Sequence, residues 1–252
     1  MSEVALNFFS LILGVGASLG LVRVLQASPA AESFRWLSAG LITLIGSLIG
    51  ARIGFIIAYA GYFKINVYET LMFWQGGLSW PGAVVGAYLF ARFAVVLIRK
   101  PYTLVLDKLS VLLLPIATAV WLGCWKAGIA YGQVLETGTW WGILTKDESG
   151  LEAIRVPVQP AAALSLLLIL GITEWIIVRS QPLGVKNSII GLVFSLHALL
   201  FSFMRVDPVQ RFLSLRLDSW AAILILLGSS FLLLIRIRKK QKRLSINTKT
   251  TS

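Results

Sequence analysis

Four basic side chains stand inside otherwise apolar sequence: Arg52, Lys126, His197 and Arg205. Arg52 sits two residues after Gly50 and two before Gly54, and a charge placed there needs water, a partner or a phosphate. Lys126 lies in the run GCWKAGIAYG, Gly123 to Gly132. It reads equally as a working cation or as a side chain reaching for the interface. His197, the lone histidine, could move a proton, although a histidine packed and bonded to a neighbouring helix looks the same in sequence. Arg205 has Asp207 two residues on, at a helix end, as its nearest candidate partner. Cys124 is a single thiol deep in apolar sequence and a poor candidate nucleophile. One histidine and one cysteine exclude a histidine-rich or multi-cysteine metal centre and an intramolecular disulfide. The sequence calls for no metal and no cofactor.

The elements that carry these residues are apolar runs of about 20 residues, the length of a bilayer core. With 252 residues, 57% hydrophobic and 13% charged, the chain reads as an all-α polytopic membrane protein. About seven transmembrane helices and a small extracytoplasmic head loop are expected. The spans fall at 4–25, 36–60, 81–98, 109–131, 161–178, 188–204 and 220–235. Gly16 and Gly20 lie one turn apart, and Gly46, Gly50, Gly54 and Ala58 form a small-residue ladder, both suited to close helix packing. Trp74-Gln75-Gly76-Gly77 breaks the helix, and Pro81 followed by Gly82 suits the first turn of a new one. The 133–157 loop carries Trp140 and Trp141 beside charged residues and predicts a small head over the membrane. Glu174, close to Arg179, is expected at the surface.

Net charge is +12, which raises the question of nucleic acid. Much of it lies at helix ends and in the tail after Ile235, where it marks the cytoplasmic side; no nucleic-acid partner is expected. Seven spans then place the N-terminus outside and the C-terminus inside, with Arg99, Lys100, Lys108, Arg179 and Lys186 also inside. The domain division is 1–235 membrane domain and 236–252 basic cytoplasmic tail. No cleavable signal peptide is expected, since Glu3 stands where a basic start is usual.

Three stretches in order resemble one family. GARIGF with WQGGLSWPGAVVGA is similar to the second and third spans of bacterial prolipoprotein diacylglyceryl transferases. GCWKAGIAYG resembles the family signature, and FMRVDP at Phe203 to Pro208 resembles the family's FxRxDP. The resemblance runs from about Ile45 to Asp207. It implies transfer of a diacylglyceryl group from phosphatidylglycerol to the lipobox cysteine of a prolipoprotein, with glycerol-1-phosphate leaving, in the plasma membrane. Partners on this reading are phosphatidylglycerol or a similar anionic phospholipid and prolipoprotein signal peptides. It marks Arg52 and Arg205 as lipid phosphate-binding, because a guanidinium fork matches phosphate oxygens. Gly76, Gly77, Gly82, Gly123, Gly128 and Gly132 are its structural motif positions.

The ionisable positions depart from the family pattern while the glycines are kept. The family histidine falls at Pro81, and the signature's arginine, asparagine and acid fall at Trp121, Cys124 and Ile129. In the sixth span an arginine and a glutamate fall at Ala198 and Ser202, and the tyrosine–glutamate pair after the head loop falls at Ala161 and Ala162. The catalytic candidates are therefore His197 and Lys126. Three readings stay open: a divergent transferase, a catalytically inactive lipid-binding paralogue, and a small transporter suggested only by the glycine break.

Overall fold

The computed structural model describes residues 8–72, 76–177 and 182–250, with side chains to 239; Trp74, Gln75 and Arg179 lie outside the described residues. Among the described residues seven helices are long and apolar enough to cross a membrane, the first at Phe8–Gln26 and the last at Leu217–Lys239. The helices are α1 (Phe8–Gln26), α2 (Ser33–Ala58), α3 (Ala60–Ile65), α4 (Trp80–Ile98), α5 (Tyr102–Leu109), α6 (Leu113–Ala127), α7 (Val158–Ile172), α8 (Val185–Met204) and α9 (Leu217–Thr250). The seven-span all-α fold expected from hydropathy is what the chain forms. Leucine, isoleucine, valine and phenylalanine stay exposed along the spans, as suits helices whose outer faces meet lipid tails.

Glycine decides where backbones touch. Gly46 and Gly50 of α2 face Gly82, Gly86 and Phe90 of α4: a Cβ on Gly50 would lie 2.8 Å from the Gly86 Cα and closer still to the Gly82 carbonyl. Only hydrogen fits there, so the predicted ladder is a helix–helix seam. Gly16 of α1 presses in the same way on Pro115 and Ala119 of α6. Gly76 and Gly77 take left-handed φ of 95° and 70°, the break foreseen from their pairing, and Pro81 occupies the first turn of α4.

The fourth span differs from expectation. It is two helices, α5 and α6, joined by a 3-10 turn at Ser110–Leu112, and it stops at Ala127 instead of continuing to Tyr131. Gly128 adopts φ 67° and its N–H bonds back to the Cys124 and Trp125 carbonyls, a left-handed cap that ends the helix. The second half of GCWKAGIAYG is therefore loop. Beyond it the head contains an antiparallel hairpin, β1 (Ile143–Lys146) and β2 (Glu152–Arg155). Asp147 ties its turn by accepting from the Ser149 and Leu151 N–H groups, both at 3.0 Å. These bonds, with the Ser149 hydroxyl first, hold its carboxyl below the usual range. A shorter hairpin, β3 (Arg211–Phe212) with β4 (Leu215–Arg216), links α8 to α9.

The opposite end of the bundle is closed by polar contacts. Asp107 of α5 accepts from the backbone N–H of Gly184 and, at 2.8 Å, of Asn187, so a carboxylate from another helix caps α8 where its orphan donors and positive dipole end meet. Lys100 pairs with Glu32 at 3.1 Å. Glu174, expected at the surface, is nearly buried in a π-helical turn and pairs with Arg23 of α1.

Replacing Gly50 or Gly86 by leucine is predicted to part α2 from α4, costing at least ~1–3 kcal/mol as overpacking does. Gly14→Ala, where a Cβ would meet none of the described residues within 4 Å, serves as the control. Thermal unfolding in detergent, followed by the soluble monodisperse fraction, should show an early loss for the first two and none for the third.

Candidate functional site

α8 ends at Met204, and Arg205 turns out of the helix in an extended conformation. Its guanidinium meets Asp207 with two bonds, 2.9 Å from Nε and 2.7 Å from Nη2, and reaches Asp218 at the start of α9 at 3.2 Å. Arg216 closes the set from β4, donating to the Asp207 carboxylate at 3.0 Å and to its carbonyl at 3.0 Å. The Arg205, Asp207 and Arg216 side chains are 15%, 6% and 6% exposed, so none of these charges could stand without the others. Beside them is a cavity of about 170 Å³, lined by Ser202, Arg205, Arg211, Ser214, Arg216 and Ser219 among others. Arg205, Arg211 and Arg216 stand here against Asp207, Asp218 and, from the head loop, Glu148, so the corner is dense in guanidinium donors while its formal charges balance.

The neighbouring elements converge on the same end. Trp121 of α6 has the Arg205 guanidinium 6.0 Å and the His197 ring 6.5 Å from its ring centroid. Val206 donates its N–H to the Tyr131 carbonyl at 3.0 Å, tying α8 to the loop after Gly128. Arg155 of β2 lies 4.5 Å over the Tyr131 ring and pairs with Asp147 at 3.0 Å, fixing the head hairpin against that loop. Burial, with Asp218 and Asp207 close by, pushes the Tyr59 phenol up at the end of α2. The Glu148 carboxyl is raised first by burial and then by Asp207 and Asp147, which places the head loop's acid near the Arg205 cluster.

His197 is 5% exposed. Its ring stacks on Phe201 at 4.5 Å, and Nε2 lies 3.0 Å from the Ser165 hydroxyl of α7. Nδ1 has no hydrogen-bond partner among the described residues. Lys126, by contrast, is exposed in the last turn of α6, with its ammonium 5.8 Å from the Trp125 ring. There it favours the negative end of the helix dipole.

Arg52 and Arg205 share no partner among the described residues. Arg52 donates from Nε to Thr70 at 2.9 Å, from Nη1 to Gly76 at 2.7 Å and Gly77 at 3.1 Å, and from Nη2 to Glu69, all backbone carbonyls. Four bonds from five N–H groups make it the organiser of the strap between α3 and α4. Gly77 is needed for this, since a Cβ there would lie 2.9 Å from Arg52 Nη1. Gly82 supplies the α2 seam, Gly123 admits the Phe9 ring, Gly128 makes room for the Lys146 carbonyl and Gly132 for that of Val156. Asp218, Arg216 and Ser165 were missed from sequence. An acid at the start of an apolar run, as Asp218 is, fits the helix-dipole rule and was the one available cue.

The sequence model of the family described as prolipoprotein diacylglyceryl transferase matches residues 1–235. Among relatives named phosphatidylglycerol–prolipoprotein diacylglyceryl transferase, that of Streptococcus mutans is 23% identical over 94% of this chain and 93% of its own length. The Polaromonas relative is 28% identical over 54% of this chain and 49% of its own. That of Thermus thermophilus is 41% identical over 18% of this chain and 16% of its own. The match thus spans less than half the length of the last two relatives. With a seven-span bundle, the glycine seams and a match across 1–235, this chain belongs to the prolipoprotein diacylglyceryl transferase family.

Proposed function

We propose that the protein binds phosphatidylglycerol at the head-loop end of the bundle and transfers its diacylglyceryl group to the lipobox cysteine of a prolipoprotein. The observation that carries this reading is the Arg205 cluster beside its 170 Å³ cavity. A phosphodiester becoming a phosphate dianion in low dielectric is stabilised by fixed guanidinium donors, and three guanidinium groups, of Arg205, Arg211 and Arg216, line this cavity. Arg205 is the phosphate-binding residue of the reading. Arg52 instead spends its donors on the carbonyls of Glu69, Thr70, Gly76 and Gly77.

The orientation follows from charge. With Lys100, Lys108, Lys186 and the basic tail on the cytoplasmic side, the N-terminus, the head loop and the Arg205 cluster lie outside, in the plasma membrane, where a prolipoprotein signal peptide presents its cysteine. A second reading, an inactive lipid-binding paralogue, is favoured by two replaced positions. Pro81 stands where the family has its histidine, and Ser202, where the family has glutamate, is bonded to Ser219.

Expressed in a bacterium depleted of its own transferase, the chain should restore lipidation of a reporter prolipoprotein, read as its shift on a gel and its diacylglyceryl mass. A folded, inserted protein that gives no lipidation but still binds the lipid would replace the first reading by the second. For binding itself, Arg205→Ala should weaken phosphatidylglycerol affinity by roughly 1.5–3 kcal/mol, the range for a charge-assisted bond. Arg52→Ala should leave that affinity within error while exposing residues 69–77 to protease. Lipid titration into detergent-purified protein, with phosphatidylcholine as control, separates the two effects.

A further inference from the structure

His197 holds a buried nitrogen with no hydrogen-bond partner among the described residues. Buried polar atoms are almost always hydrogen-bonded, and leaving one unmatched is costly, so an unmatched Nδ1 in a well-packed interior calls for a reason. Its surroundings define the ring tightly: Phe201 stacks on one face at 4.5 Å, Trp121 meets it edge-on at 6.5 Å, and Nε2 lies 3.0 Å from Ser165 Oγ. The Ser165 hydroxyl also lies 3.3 Å from the Ala162 carbonyl one turn back and is oriented to donate to it. A hydroxyl has one proton. If that proton goes to Ala162, Nε2 must carry its own and donate it to Ser165. Nδ1 is then a bare lone pair.

We infer that His197, oriented by Ser165, is the proton acceptor for the incoming thiol, a role that rests on the transferase reading above. The base stands on α8, two turns before Arg205, and the Trp121 ring lies 6.5 Å from the His197 ring and 6.0 Å from the Arg205 guanidinium. Nδ1 takes the proton from the cysteine S–H. The sulfur forms the S–C bond to the diacylglyceryl carbon as the C–O bond to phosphorus breaks, and glycerol-1-phosphate leaves with that electron pair. The proton held on His197 then passes to the leaving phosphate or to water, so charge and atoms balance. Ser165 touches no reacting atom and is a positioning residue. Pro81, which can neither accept nor donate a proton from its nitrogen, leaves this task open to another group.

One property of the chain makes the test direct: it has a single histidine. Protein made with ¹⁵N-histidine and purified without a histidine tag gives one imidazole pair by NMR. The expected spectrum has the proton on Nε2 and a bare Nδ1, and Ser165→Ala should mix the tautomers while Ser165→Thr preserves them. A proton on Nδ1 in the wild type would overturn the inference whatever the activity. In the lipidation assay His197→Gln should lower kcat by 100-fold or more, the usual contribution of a general base being ~10²–10⁴. Ser165→Ala should lower kcat with KM unchanged, and Ser165→Thr should restore it. An active wild type with an equally active His197→Gln sinks this role alone. A wild type that lipidates nothing sinks the transferase reading and this role with it.

Discussion

A guanidinium carried to the edge of an apolar bundle must find oxygen for nearly every donor, and much of this molecule is arranged around that demand. Arg205 finds Asp207 and Asp218, Arg216 shares Asp207, and Arg52 takes carbonyls from four residues of a strap. At the other end Arg23 finds Glu174. In hydrocarbon these are not optional contacts, because the desolvation cost of an unmatched charge exceeds what a single helix contributes to stability. The consequence is geometric. Arg205 ties the end of α8 to the start of α9, while Arg52 ties α2 to the segment preceding α4.

The glycine seams are the complement of that constraint. Where charges hold helix ends together, Gly50 against Gly82 and Gly86 holds their middles, with no side chain between the backbones. Van der Waals contact must carry association in a membrane, since lipid tails remove the hydrophobic driving force. The chain keeps these glycines and FMRVDP while changing most other ionisable positions of its family. The scaffold and the Arg205–Asp207 corner persist, and proline stands at position 81 where the family has its histidine.

Much of this was legible from residues alone. Seven apolar runs, the ladder from Gly46 to Gly54, the break at Gly76-Gly77 and the Arg205–Asp207 pair all follow from local spacing. What was not legible depends on contacts far apart in the chain. Gly128 looked like a helical glycine because a left-handed cap and a packing glycine have the same letter; only the head loop pressing on it distinguishes them. Arg52 looked free to bind phosphate because backbone carbonyls leave no mark in sequence. Glu174 seemed to belong with its neighbour Arg179, yet its partner lies 151 residues away. Ser165 carried no signal at all, being one serine on a lipid-spanning helix until α8 brings His197 against it.

The central claim is that an anionic lipid headgroup sits in the corner formed by the end of α8, the β3–β4 hairpin and the start of α9. A phosphatidylglycerol analogue with a photoreactive group on its head glycerol tests it most directly, with adducts mapped by peptide mass spectrometry. The account predicts adducts within residues 202–219 that excess phosphatidylglycerol suppresses. Adducts confined to the basic tail after residue 235, or to the strap around Arg52, would contradict it.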